Sequence, residues 1–102
     1  MIKIQITTVA ELGEVIRATR KANNIRLDDV ASMAGLSPVF VGDVEYGKST
    51  VQMGRVLQLL RELGLKLVVD VPVSTMPELQ KIHERGGLVR PGMRKNQPDL
   101  EK

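Results

Sequence analysis

Residues 26–47, RLDDVASMAGLSPVFVGDVEYG, decide how the rest of the chain reads. Asp28 and Asp29 stand where carboxylates favour the first turn of a helix, and Val30, Ala31 and Ala34 face inward at helical spacing. Gly35 supplies a permissive backbone for a turn, and Leu36 plugs the core beneath it. Ser37 followed by Pro38 starts a new helix, because serine caps and proline suits the first helical position. That helix runs to about Tyr46, buries Val41 and Val44, and stops at Gly47. A short helix, a tight turn and a second helix ending before glycine is the geometry that sets one helix against the major groove of DNA.

Upstream, Thr8 and Glu11 form a T-x-x-E capping box, and Val9, Leu12, Ile16 and Thr19 follow helical spacing. A first helix over roughly 9–23 follows, with Asn23 and Asn24 as helix-end residues. Before it, Ile2, Ile4 and Ile6 alternate with Lys3 and Gln5, the pattern of a short half-buried strand. Downstream, Ser49 or Thr50 can cap a fourth helix whose apolar stripe is Met53, Val56, Leu57, Leu60 and Leu63, closed by Gly64.

Leu65, Leu67, Val69 and Val71 then alternate with Lys66, Val68 and Asp70, which predicts a strand ending at Pro72. It could pair with residues 2–6 of the same chain or with its own mate across a twofold axis. The second choice makes a dimer through an exposed edge. Beyond Ser74 a short helix over Met76–His83, capped by Thr75, gives way to Gly86, Gly87, Pro91, Gly92 and Pro98. The expected organisation is a helix-turn-helix body over 1–73 and a C-terminal, partly disordered arm over 74–102. The fold class is an all-α body of four to five helices with a short terminal β-strand forming an intersubunit sheet.

Composition narrows the function. The 102 residues contain no cysteine, which excludes disulfides and thiolate metal sites, and only one Phe and one Tyr, so Leu, Val, Ile, Met and Ala must build the core. No run approaches the roughly 18 apolar residues of a membrane helix, and a cytoplasmic protein with no membrane association is expected. The net charge of +3 is unevenly placed: residues 1–77 hold nine Lys/Arg against eight Asp/Glu, and residues 78–102 hold six against four. DNA affinity must therefore come from local clustering and dimerisation.

Catalytic patterns are weak, and neither an enzyme nor a cofactor is expected. His83, the one histidine, lies in the arm away from any cysteine or carboxylate cluster. Asp28 and Asp29 are adjacent on a helix and do not face each other. The basic side of the first helix has more content: Arg17, Arg20, Lys21 and the nearby Arg26 are within reach of a phosphate backbone. Across the domain, Lys48, Ser49, Thr50 and Gln52 surround the start of the fourth helix, whose free N–H groups form a phosphate seat. For each of these residues alone, an ordinary solvated surface is the competing reading.

The residues able to face bases are Pro38, Val39, Phe40 and Asp43, with Gly42 and Tyr46 nearby. Arg, Lys, Asn and Gln make the usual bidentate base contacts, and none occurs there. Base reading by this helix is therefore expected to be modest, with shape and dimer spacing carrying specificity. Leu65, Leu67, Val69 and Val71 are the candidate dimer contacts. In the arm, Leu79, Ile82, Arg85 and Arg90 suit an acidic, partly apolar protein surface.

Residues 8–71 resemble the lambda-repressor/Cro-like (Xre-type) helix-turn-helix family, and within it the HipB-like type II antitoxins. The similarity is carried by IRATRKANNIRLDDVASMAGLSPVFVGDVEYGKSTVQMGRVLQLLRELGLKLVV, in which Ala31, Gly35, Leu36, Ser37, Val44, Glu45 and Gly47 hold the family's structural positions. The resemblance implies a homodimer that binds double-stranded operator DNA, represses its own toxin–antitoxin operon and restrains a HipA-like serine/threonine kinase toxin. It assigns Glu45 to structure, through helix-end hydrogen bonding or an ion pair with an arginine of the domain. The chain departs from the family pattern at Leu27, where a DNA-contacting Gln is usual, and at Pro38, Gly42 and Asp43. A freestanding repressor and an interaction module without DNA affinity are the alternatives.

Overall fold

The structure, a computed structural model, describes residues 1–87. Among them are five helices: α1 (Val9–Ala22), α2 (Leu27–Ala34), α3 (Pro38–Glu45), α4 (Met53–Glu62) and α5 (Thr75–Glu84). The chain divides into two compact units, one comprising Met1–Leu67 and one that begins at Val68.

The first unit carries the core. Ile16 of α1, Val30 and Ala31 of α2, Leu36 of the turn, Val41 and Val44 of α3, and Val56, Leu59 and Leu60 of α4 are all buried. Helix α3 packs between α1 and α2, and α4 packs on α2. The inward stripe of α4 is Val56, Leu59 and Leu60, with Leu63 partly buried beside them, whereas Met53 is half exposed. Leu59, absent from the expected stripe, is fully buried, and Leu57 is partly buried against the core as expected.

Local chemistry explains the helix starts. The Thr8 hydroxyl accepts from the Glu11 backbone N–H at 3.1 Å, and the Glu11 carboxylate accepts from the Thr8 N–H at 3.0 Å. That capping box satisfies orphan donors at both positions. Ser37 accepts from the Phe40 N–H at 3.0 Å, with Pro38 leading the helix as expected.

Helix α4 begins differently from expectation. Its N-cap is Gln52 and no side chain caps it. Ser49 and Thr50 form a turn instead, because Val51 docks against the core and the helix can start only after it. The predicted cap lies too early in the chain to reach the first-turn donors.

All five helices of the described residues end with the same hydrogen-bond pattern. A residue with positive φ (Asn24, Gly35, Gly47, Gly64 or Gly86) is followed by one whose N–H reaches back five positions. Ile25 bonds to Arg20, Leu36 to Ala31 and Leu65 to Leu60, at 3.1, 2.8 and 2.8 Å. These three residues also pack against the core, so each of those helix ends is closed by a backbone bond and an apolar contact together.

The strand expected from Leu65 onward is not seen among the described residues, and the Leu65 N–H donates instead to the Leu60 carbonyl at the end of α4. Among the described residues no segment is paired in a sheet, neither residues 2–6 nor residues 66–71.

In the second unit, Pro72 and Val73 accept from Thr75 and Met76 at the start of α5. Thr75 is the first helical residue rather than the cap, and Ser74, the N-cap, makes no side-chain cap bond. No residue of α5 is buried within the chain. Arg90 and the arm beyond it fall outside the described residues.

Candidate nucleic-acid interface

The face of α3 turned to solvent is apolar and acidic. Val39 and Tyr46 are about three-quarters exposed, at 74% and 76%. Pro38 is exposed, Asp43 is half-buried, and Phe40 packs partly against the core. Part of the Phe40 ring is therefore committed to the fold.

Beside this face lies an open cleft of about 330 Å³, lined by Phe40, Asp43, Lys48, Thr50, Val51, Gln52 and Arg55. Lys48 Nζ stands 3.6 Å from Asp43 Oδ2. The ammonium therefore offsets the carboxylate that would otherwise repel a polyanion at the rim. The uncapped start of α4 opens beside these residues, leaving its first N–H groups without intrahelical partners. Arg55 in its first turn is exposed and was not singled out in the sequence. The only available signal was its place three residues after the N-cap Gln52.

Of the predicted backbone-contacting residues, Lys48, Thr50 and Gln52 come together around this cleft, and Ser49 is exposed in the adjoining turn. Lys21 and Arg26 are exposed on the helical body. Arg17 sits over the ring of Tyr46, 5.4 Å from its centroid. This cation–π contact fixes the guanidinium at the C-terminal end of α3.

Arg20 is corrected. It is buried, at 8% exposure, and its guanidinium is spent inside the domain. Nε donates to Glu45 Oε2 at 2.6 Å, Nη2 to Glu45 Oε1 at 2.9 Å and Nη1 to the Ile25 carbonyl at 3.0 Å. Hydrogen bonding to Glu45 raises the Arg20 pKa further above its already high ordinary value. Helical spacing put Arg20 on the basic side with Arg17 and Lys21, but the buried Glu45 draws it inward. The ion pair foreseen for Glu45 is this one.

No group of three or more His, Cys, Asp or Glu residues able to hold a metal occurs among the described residues. No described helix is long and apolar enough to cross a membrane.

The sequence matches the HTH_3 helix-turn-helix family over residues 16–69. The chain belongs to this helix-turn-helix family. It is 41% identical over 68 residues, 67% of this chain and 90% of the relative, to the HTH-type transcriptional regulator y4mF of Sinorhizobium fredii (strain NBRC 101917 / NGR234). Among solved structures, a chain of the HipA-HipB-O2-O3 complex superposes with a TM-score of 0.64 at 14% identity, covering 68% of this chain and 97% of that one. A chain of the HipB-O4 20mer complex gives a TM-score of 0.63 at the same identity and coverage. At that identity the likeness is one of fold: the helix-turn-helix body is shared with chains of these HipB complexes. The matched span, residues 16–69, contains α2, α3, α4 and the whole cleft.

Proposed function

We propose that this helix-turn-helix protein is a homodimeric, operator-binding antitoxin of a type II toxin–antitoxin module that also represses its own operon. The observation that carries the DNA half is the cleft beside α3. Lys48, Thr50, Gln52 and Arg55 surround an uncapped helix start there, a group of donors suited to phosphate. Arg17, held against Tyr46, serves a second phosphate position at the other end of α3. Such contacts position a protein on DNA without reading sequence. Base readout then falls to Val39, which can touch a thymine methyl, and to Asp43, which can accept from cytosine N4 while Lys48 neutralises it. The recognition helix lacks Arg, Lys, Asn and Gln, so shape and half-site spacing supply most of the specificity.

The antitoxin half is supported by the fold shared with a chain of the HipA-HipB-O2-O3 complex and a chain of the HipB-O4 20mer complex. The proposed partner is a HipA-like serine/threonine kinase, inhibited without covalent chemistry. A freestanding repressor is the second reading, favoured by the transcriptional-regulator name of the 41% identical relative.

A gel shift with the promoter of the chain's own operon, run across a salt series, tests the DNA half. Affinity should fall steeply as salt rises, because phosphate neutralisation releases counterions. Binding that is absent at low salt removes it. Co-expression with the product of the adjacent reading frame tests the antitoxin half: rescue of growth supports it, and toxicity unaffected by this chain leaves the freestanding repressor.

A further inference from the structure

Two apolar segments remain unpaired in the single chain. Ile2 and Ile4 are 87% and 58% exposed, and Leu67, Val69 and Val71 are 52%, 73% and 46% exposed. Residues 2–6 alternate apolar and polar, residues 67–71 do so apart from Val68, and neither segment has a sheet partner among the described residues. Both present free backbone donors and acceptors, which an aqueous protein does not ordinarily leave on an apolar edge. The proposed dimer pairs residues 66–71 with their twofold mate, which occupies only one edge of each strand. A two-stranded ribbon is marginal by itself, and three or more strands are needed for independent stability. The missing strand has to come from a segment with matching alternation.

We propose that residues 2–6 of one copy add as an outer antiparallel strand onto residues 67–71 of a second copy, completing a four-stranded intersubunit sheet. The inference rests on the dimer proposed above. Charge selects the register. Placing Lys3 opposite Asp70 sets Ile2 against Val71, Ile4 against Val69 and Ile6 against Leu67 on one face, and leaves Val68 opposite Gln5 on the other. Sliding by four residues puts Lys3 opposite Lys66, a like-charge pair that disfavours that register. Sliding by two leaves Lys3 opposite Val68 and Asp70 without a partner from the strand. The favoured register also ends where it must, because the Thr7 N–H is already bonded to Glu11 at 2.7 Å and cannot extend the ladder. The occupant is a second copy, because the dimer proposed above already brings residues 66–71 of two copies together and the added strand continues that interface.

Charge reversal tests the register and the source of the strand together. Lys3→Asp and Asp70→Lys both change exposed residues outside the core, so the helical body keeps its packing. Each dimer contains two such pairs, and either variant alone should dimerise roughly tenfold more weakly in sedimentation equilibrium. An equimolar mixture of the two variants should recover wild-type association, since a mixed dimer restores opposite charges at positions 3 and 70 on both of its sides. Recovery in the Lys3→Asp/Asp70→Lys double variant but not in the mixture would place both strands in one chain and overturn the proposal. Unchanged association of the single variants also overturns it. Leu67→Pro separates this failure from that of the dimer itself: a proline that dissociates the dimer, beside a harmless Lys3→Asp, keeps the central strand pair and removes the added strand.

Discussion

Arg20 and Glu45 are locked together by two parallel hydrogen bonds of 2.6 and 2.9 Å, one residue in the last turn of α1 and the other at the end of α3. Both are nearly inaccessible, at 8% and 5% exposure, and a third bond carries the guanidinium to the Ile25 carbonyl. The pair therefore joins α1, the α1–α2 turn and the end of the helix proposed to face DNA. Replacing Arg20 by Ala leaves Glu45 buried without its partner and should cost roughly 3–5 kcal/mol, a loss read directly from urea denaturation. An Arg20→Met/Glu45→Leu double variant removes both charges and should recover much of that loss. Equal destabilisation of the double and single variants would show that packing, not the stranded charge, sets the cost.

Gly13 makes a tighter demand than any pattern suggested. A Cβ there would stand 2.7 Å from the Glu45 carbonyl oxygen and closer still to that of Val44. The backbone of α1 thus rests on the end of α3, with Ala10 against Gly47 one turn earlier. Gly13→Ala must push the two helices apart, which outweighs the helix propensity that alanine gains, and should destabilise by roughly 1–3 kcal/mol. A thermal melt at or above the wild-type midpoint would contradict this close approach.

These two sites mark what the sequence could and could not reveal. The starts of α1 and α3 and the ends of α2, α3 and α4 are legible because their causes are local: Thr8 with Glu11, Ser37 with Pro38, and the glycines at 35, 47 and 64 act on neighbours a few residues away. The start of α4 depends instead on Val51 docking against the core. The buried stripe of α2 and α3 followed from spacing alone. Gly13 was passed over because its reason lies far along the chain in Val44 and Glu45, and no periodicity signals a missing side chain. Arg20 misled because a helix face that is basic in sequence says nothing about a carboxylate that arrives from elsewhere in the fold. The alternation of residues 65–71 is legible as a pattern, but no described residue there is paired in a sheet, and whether it pairs depends on groups that periodicity does not name.

Glu11 couples the start of α1 to pH. Its carboxylate accepts from the Thr7 backbone N–H at 2.7 Å, from the Thr7 hydroxyl and from the Thr8 N–H, and the Thr7 backbone bond leads in holding its pKa below the ordinary value of 4.5. A carboxyl whose pKa is lower in the folded state contributes stability above its unfolded value and loses it as pH falls through the folded one. The difference in stability between wild type and Glu11→Gln should therefore be full above about pH 5 and shrink in more acidic buffer. Denaturation curves that keep the same separation from neutral pH down to about pH 3 would remove Glu11 as the titrating cap.

On DNA, Lys48→Ala and Arg55→Ala should weaken binding alike on operator and random duplexes. Each should reduce the salt slope by about one counterion-equivalent, because each removes one phosphate contact. Lys48 carries a second consequence. Its loss leaves Asp43 unneutralised beside the phosphates, so Lys48→Ala should cost more affinity than Arg55→Ala, and Lys48→Ala/Asp43→Asn should recover part of the difference. A penalty confined to the operator duplex would reassign these groups to base reading.

Helix α5 has no buried residue of its own, with Leu79 37% exposed, Ile82 half-buried and Arg85 exposed at its end. The core of the helical body, from Ile16 to Leu60, lies entirely upstream of it. A chain ending after Ser74 should accordingly keep the urea midpoint of the full chain and its ability to dimerise through residues 66–71. It should bind the proposed kinase partner less tightly if Leu79, Ile82 and Arg85 are the apolar and basic surface that partner uses, as proposed. Calorimetric titration of the partner with both lengths decides the point. Equal affinity would assign the protein contacts to the helix-turn-helix body and leave α5 without a part in inhibition.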